Sequence, residues 1–453
     1  MSNISQKLIA LNEVKQDIKT AITNKGVSVD DDFKTYPRKI HDIPTDMSGL
    51  YRHDEWLNDV NFYDIDGSIL YSYTLAEAKA LTRLPMAPEH EGLVFQEWNW
   101  TLADIQNLPN DGMADIGPNY DTLDGHTRIV VDIKAEDFAN NISYVSTVGV
   151  RFTQSVANGI TVDWGDGTTS SSSTTGSAIS LTHTYTAFGI YTITLIKNSG
   201  TLTIGGGSSS YLTPNGARMM KAVYVGSKVN TFSTYAFSYG VWEVITLPKN
   251  ARLTAQGFRA MYCIKQVTIP RGSTTVGNYA FYQNYSMRTV CIPVTLTTIG
   301  TESFYACKNL RRICLQDTCT SVTTPFGTSD TYGCLELKAF RASGGIATLD
   351  YYFSSSRSMV RLVVPEGVTT FSPTMTNSYL LNEVVLPSTL TTFAPTGERL
   401  YYVTILADSA PTASAAISTA IRRIFVPEDA LSSYSTATYW KDLDSSKFKT
   451  IVE

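Results

Sequence analysis

The chain of 453 residues is long enough for two to four domains. Charged residues make up only 17%, against a usual share of about 25%, and the net charge of −5 comes with no basic block in the sequence. Electrostatic capture of nucleic acid needs clustered Lys and Arg, so that role is set aside.

Hydrophobic residues reach 43%, ample for packed cores. No run of about 18 apolar residues occurs, so no membrane-spanning helix is expected. The opening MSNISQKLIALNEVKQDIK does not read as a signal peptide, because polar residues interrupt every turn.

Residues 4–25 fit a helix, with Leu8, Leu11, Ile18 and Ile22 on one stripe at spacings of three and four. This stripe suits self-association or docking. It suits equally well packing on the following segment through Val27, Val29, Phe33, Tyr36 and Ile40. Residues 1–45 are read together as a docking or oligomerisation segment.

Residues 46–120 read as a small α+β domain. A strand and turn are expected over Val60–Gly67, a second strand over Tyr71–Thr74, and a helix over Leu75–Leu84 capped by Thr74. Asp64-x-Asp66-Gly67 resembles the start of a calcium loop, but Leu75 stands where the closing Glu belongs, so a turn is expected.

Residues 127–203 read as all-β. Strands are expected at Ile160–Trp164 and Gly189–Leu195, with the polar stretch Thr168–Ser177 as a mobile loop between them. Gly205–Ser210 has linker composition.

From residue 221 a short strand recurs, usually closed by proline: ITLP to Pro248, VTIP to Pro270, VCIP to Pro293, ICLQ to Gln316, LELK to Lys338, LVVP to Pro365, VVLP to Pro387, TILA to Ala407 and IFVP to Pro427. Most steps are 20–23 residues, with one of 27 before Pro365. Phe237, Phe258, Phe281 and Phe304 keep step about eleven residues before each strand end. One strand and a turn cannot bury an apolar face alone, whereas stacked copies share a continuous core. The first and third residues of each strand point inward, for example Val267 with Ile269. The outward ladder then runs Thr246, Thr268, Cys291, Cys314, Val363, Val385, Ile405 and Phe425. Its later part is apolar, which suits either a contact face for a partner or cover by another part of this chain. On the first reading Thr246→Glu leaves folding nearly intact.

The fold class expected is therefore mainly β: a short N-terminal helix, a small α+β domain, a β-sandwich and a C-terminal repeat solenoid over residues 215–450. The strand, proline and phenylalanine signature resembles the BspA-like leucine-rich repeats of bacterial surface proteins. Asp163-Trp164-Gly165-Asp166-Gly167, His183-Thr184-Tyr185 and the alternation after Gly189 resemble a PKD-type immunoglobulin-like domain, which implies a spacer or contact module. Its Asp163 and Asp166 suit calcium or, more commonly, turn amides. LNEVKQDIKTAITNKG, DVNFYDIDGSILYSYTLAEAKAL and GLVFQEWNWTLADI resemble segments of structural proteins of tailed bacteriophages. That resemblance implies a surface-exposed virion protein, trimeric, bound to capsid or tail through its N-terminal region and to host glycan or protein through the repeats.

No catalytic constellation is expected. The five histidines, His41, His53, His90, His126 and His183, hold no metal or triad spacing, and GxSxG, HExxH and Walker patterns do not occur. Glu89, Glu91 and Glu97 lie near Phe95, Trp98 and Trp100, where surface acids beside an aromatic cluster are the commoner arrangement than a glycosidase pair. The six cysteines lack CxxC spacing, so free thiols are expected, with no metal and no cofactor.

Overall fold

The computed structural model describes residues 59–134, 147–205, 212, 219–253, 255–327, 333–353, 356–381, 383–397 and 400–451. The stripe of Leu8, Leu11, Ile18 and Ile22 lies outside these residues, as does most of the Gly205–Ser210 stretch.

The first region holds strands β1 (Val60–Tyr63) and β2 (Ile69–Tyr73), helix α1 (Leu75–Lys79), β3 (Leu93–Trp98), α2 (Leu102–Gln106), β4 (Ala114–Ile116) and β5 (Pro118–Thr122). β1 is the centre of a three-stranded sheet, antiparallel to β2 and parallel to β4, and β3 pairs with β5. Thr74 caps α1 in a capping box with Glu77, as the sequence suggests. The helix stops at Lys79, short of the expected Leu84, and Pro85 disfavours helical backbone just before it. The Asp64–Gly67 segment is a turn, with Gly67 at φ 82° and its N–H on Asp64 O at 3.1 Å. The core of this region is Val60, Phe62, Trp98, Trp100, Ile105 and Ile116.

Next come β6 (Thr127–Ile133), β7 (Thr147–Gln154), β8 (Ile160–Asp163), β9 (Thr169–Ser171), β10 (Ile179–Thr184), β11 (Gly189–Lys197) and β12 (Leu202–Ile204). Their two sheets are packed by alternating inward residues such as Ile129, Val131, Val150 and Val162. Part of the stretch expected as a loop is strand β9, which pairs with β8. It is polar because it is an edge strand, exposed at Thr169 and Ser171.

These sheets do not end where the repeats begin. β13 (Met220–Tyr224) pairs antiparallel with β6 and parallel with β15 (Val244–Thr246), while β14 (Thr231–Phe232) pairs parallel with β12. One hydrophobic core runs from Ile129 to Leu443.

Beyond β15 the chain is a solenoid with two parallel faces. The longer sheet has nine strands, from Gln266–Thr268 to Phe448–Thr450. On the second face lie two-residue strands such as Thr275–Val276, Thr298–Ile299, Thr370–Phe371 and Thr392–Phe393. Hydroxyls tie the turns together at the corner: Thr297 donates to Thr274 O at 3.0 Å and Thr391 to Thr369 O at 3.1 Å. Inside, Phe237, Phe258, Phe281 and Phe304 stack with centroids 5.3, 5.6 and 5.8 Å apart. Phe258, Phe281 and Phe304 are each flanked two residues away, on both sides, by non-glycine residues in the left-handed region: Gln256 and Ala260, Tyr279 and Gln283, Glu302 and Ala306. Bonds to the next turn hold them there, including Gln283 N to Tyr305 O at 2.8 Å.

The register departs from the expected one in the middle turns. The strand is Ala339–Arg341, not LELK, so the 27-residue step separates Cys314 from Arg341. Near the end Thr404, not Ile405, stands on the outward ladder between Val385 and Phe425, and Ile405 is buried. Proline was a poor ruler in both places, since Lys338 and Ala407 lack it. At the far end Trp440 is buried against Phe393 and Tyr434, and its indole N–H reaches Pro411 O at 2.6 Å.

Candidate functional site

The outward ladder, which starts at Thr246 on β15 and continues along the long sheet, meets two different fates. Over the first turns it is covered by residues 59–122. Thr246 and Cys314 are 3% exposed and Thr268 6%, and Cys291 and Arg341 are fully buried. Thr246 and Thr268 are therefore not available as a contact face, because this chain's own small domain sits on them. Gly117 lies so close that a Cβ there would collide with Thr268 Oγ1 and Cys291 Sγ.

Strand-ending prolines explain part of this docking. The Ile269 N–H donates to Cys291 O at 3.0 Å, which sets the Ile269 carbonyl opposite Pro293, a residue without an N–H. Asn99 Nδ2 supplies the missing donor, at 3.1 Å to Ile269 O and 2.9 Å to Cys291 O. Asn119 Nδ2 serves Leu247 O at 3.1 Å, and the Trp100 indole serves Ile292 O at 2.8 Å. Pro270 and Pro293 thus leave the Leu247 and Ile269 carbonyls for the small domain to satisfy, whereas the Ile292 carbonyl stands opposite Gln316 and takes the indole without a proline beside it.

A buried ion pair lies at the same interface. Arg312 Nε is 3.1 Å from Asp115 Oδ1, with side-chain exposures of 0% and 1%. Burial pushes the Asp115 carboxyl up, opposed by Arg312 and by the Tyr63 hydroxyl, which donates at 3.2 Å. Burial also raises the Cys314 thiol to about 12, so it stays protonated and its Sγ lies 3.7 Å from Asp115 Oδ2. Arg341 bridges Asp111 and Asp317, both at 3.0 Å, and Arg361 reaches Asp59 at 3.0 Å.

Past Arg361 the ladder opens. Val363 and Phe425 are half-buried, whereas Val385 is 47% exposed. Glu383 is on the same outward side, and burial pushes its carboxyl up. This stretch can offer a partner aliphatic and aromatic contact with a few polar groups. All six cysteines are free thiols, five of them buried.

Elsewhere, Asp163 and Asp166 accept turn amides, from Gly165 at 2.9 Å and Thr168 at 3.0 Å. His183 lies 2.6 Å from Asp166 and stacks on Trp164. Glu89 and Glu91 are exposed and Glu97 is half-buried. Among the described residues no group of three or more His, Cys, Asp or Glu is placed to hold a metal.

The sequence reading missed Asn99, Trp100, Asp115, Asn119 and Arg312. A signal existed: Gln266, Thr289 and Arg312 are polar residues one register position before each inward aliphatic, and the ladder after it is small. Small outward residues mark a face on which backbone lies close.

No curated protein is detectably similar to the chain. Among solved structures, a leucine-rich repeat protein from Bacteroides ovatus ATCC 8483 is similar at 16% identity with a TM-score of 0.29. The match covers 50% of this chain and 65% of that one, less than two thirds of its length. Residues 230–326 match the BspA type leucine rich repeat region in six copies. That stretch is a run of BspA-type leucine-rich repeats, and it includes the covered turns of Thr246, Thr268, Cys291 and Cys314 but not that of Arg341.

Proposed function

We propose that the chain is a non-enzymatic surface-display and binding protein, and more narrowly a fibre or decoration protein of a tailed-bacteriophage virion. One observation carries the reading: a leucine-rich solenoid whose outer ladder is covered at its first turns and uncovered from Val363 to Val385. The stack is braced by shared sheets at one end and by Trp440 at the other. It therefore holds that uncovered stretch at a fixed place.

In this reading the N-terminal region binds capsid or tail, three copies meet there, and residues 127–203 act as a PKD-type spacer. The resemblance of DVNFYDIDGSILYSYTLAEAKAL and GLVFQEWNWTLADI to phage structural proteins supports the virion setting. The partner of the solenoid is a host-surface glycan or protein. Mass spectrometry of purified virions tests the setting; recovery of the protein only from a cell-envelope fraction refutes it. The BspA-type repeats favour a second reading, a bacterial cell-surface adhesin, and the envelope result would select it.

A further inference from the structure

The exposed cations of the early turns are not scattered. Lys265 and Arg288 are exposed and stand on successive turns, joined by the Arg288 N–H on Lys265 O at 2.8 Å. Three residues before each is a tyrosine. Tyr262 and Tyr285 stack with centroids 6.1 Å apart, and Lys308 Nζ lies 5.0 Å above the Tyr285 ring. A second row runs beside them. The Arg259 guanidinium is 4.6 Å above Tyr282, which stacks on Tyr305 at 4.9 Å. Gly327 continues that row, where any side chain would meet the Tyr305 ring.

Four cations and four rings thus form one strip along the solenoid of a chain whose net charge is −5. Carboxylates border it as well: Glu302 near Tyr282, Asp66 near Lys265, Glu243 one turn before Lys265, and Glu336 one turn beyond Lys308, whose carbonyl its N–H reaches at 3.0 Å. Rings stacked on one another close their faces, which removes the platforms that unpaired nucleobases need. Ring edges and the cations Lys265, Arg288 and Lys308 face outward, repeating at the spacing of parallel strands, about 4.8 Å. A flexible polymer with regularly placed carboxylates and hydroxyls matches that pattern.

We propose that the strip of Arg259, Tyr262, Lys265, Tyr282, Tyr285 and Arg288 binds an acidic polysaccharide laid along the solenoid axis. The inference rests on the surface-binding reading and names its ligand class. Hyaluronan oligosaccharides are the probe, titrated into the full chain with dextran and duplex DNA as comparisons. Hyaluronan binds, dextran does not, and the combined Tyr285→Ala and Arg288→Gln variant loses about tenfold or more in affinity. Lys265→Gln with Arg288→Gln alters only exposed side chains and serves if the tyrosine variant melts early.

Hyaluronan binding unchanged in these variants overturns the proposal. So does equal binding of dextran, or displacement by duplex DNA at matched charge. Adhesion to intact host cells separates the two readings. Cells that bind the wild type and the strip variants equally refute the strip and leave the display function standing. Absence of the protein from both virions and envelopes refutes the display function itself.

Discussion

Arg312 and Asp115 form an ion pair 3.1 Å apart between the solenoid and the small domain, and neither side chain reaches solvent. Each partner solvates the other in place of water. Asp115→Ala leaves a buried guanidinium without its carboxylate and is expected to cost about 3–5 kcal/mol. Replacing both, with Asp115→Leu and Arg312→Met, is expected to recover most of that loss. Chemical denaturation measures both. A single substitution within 1 kcal/mol of wild type, about the net worth of one exposed pair, contradicts the assignment.

Two residues on one ladder are expected to respond oppositely to a charge. Thr246→Glu buries a carboxylate beneath the small domain, at a position where even the Thr246 hydroxyl has no partner, and should destabilise by several kcal/mol. Val385→Glu lies on the exposed part and should stay within about 0.5 kcal/mol. Equal melting temperatures for the two variants would contradict the cover described for the first turns.

Phe281 is fully buried between Phe258 and Phe304. Phe281→Ala removes a ring from the middle of the stack and is expected to cost about 3–5 kcal/mol. An unchanged denaturation midpoint would show that the ring does not sit in that row.

Gln283 has φ 61°, and its side chain is only half-buried. Gln283→Gly removes the left-handed penalty while keeping the N–H bond to Tyr305 O. A gain of about 1 kcal/mol is expected, less the unfolded-state entropy of glycine. A clear loss of stability would show that the side chain matters more than the backbone.

Burial pushes the Glu366 carboxyl up, but bonds from the Ser388 N–H and hydroxyl, both 2.9 Å, and from the Thr389 N–H outweigh it and hold the carboxyl below its usual range. A depressed carboxyl contributes stability above its unfolded value and loses it as the pH falls through the folded one. Glu366→Gln should therefore flatten the acid limb of melting temperature against pH between about pH 5 and pH 3. The effect is small because the residue is exposed. Parallel acid limbs for variant and wild type would remove Glu366 from the account.

The repeat was legible because its signals were redundant. Val267 and Ile269 face inward, Phe281 follows one turn after Phe258, and Pro270 marks the strand end. Where the proline was missing, at Lys338 and Ala407, the register slipped, and Ile405 was assigned outward although it is buried. Cover of the ladder by another part of this chain is one of the two readings the sequence allows, but that it falls on Thr246 and Thr268 is not legible, since it depends on Asn99 and Asn119 meeting carbonyls more than a hundred residues away. Nothing local in the sequence marks an asparagine as the donor to a distant carbonyl. The shared sheets were hidden for a similar reason: β13 pairs with both β6 and β15, and its apolar pattern serves either partner.

That double pairing of β13 has a bearing on how the chain tolerates change in length. A parallel stack has two raw ends, and here the first is sealed by hydrogen bonds to β6 and β12. A cut between the sandwich and the repeats would strip partners from both fragments and leave adhesive edges on each. Gain or loss of whole turns is tolerable only downstream of Arg361, where no clamp from the small domain would be put out of step. The part of the molecule free to lengthen or shorten is thus the part that keeps Val385 in the open.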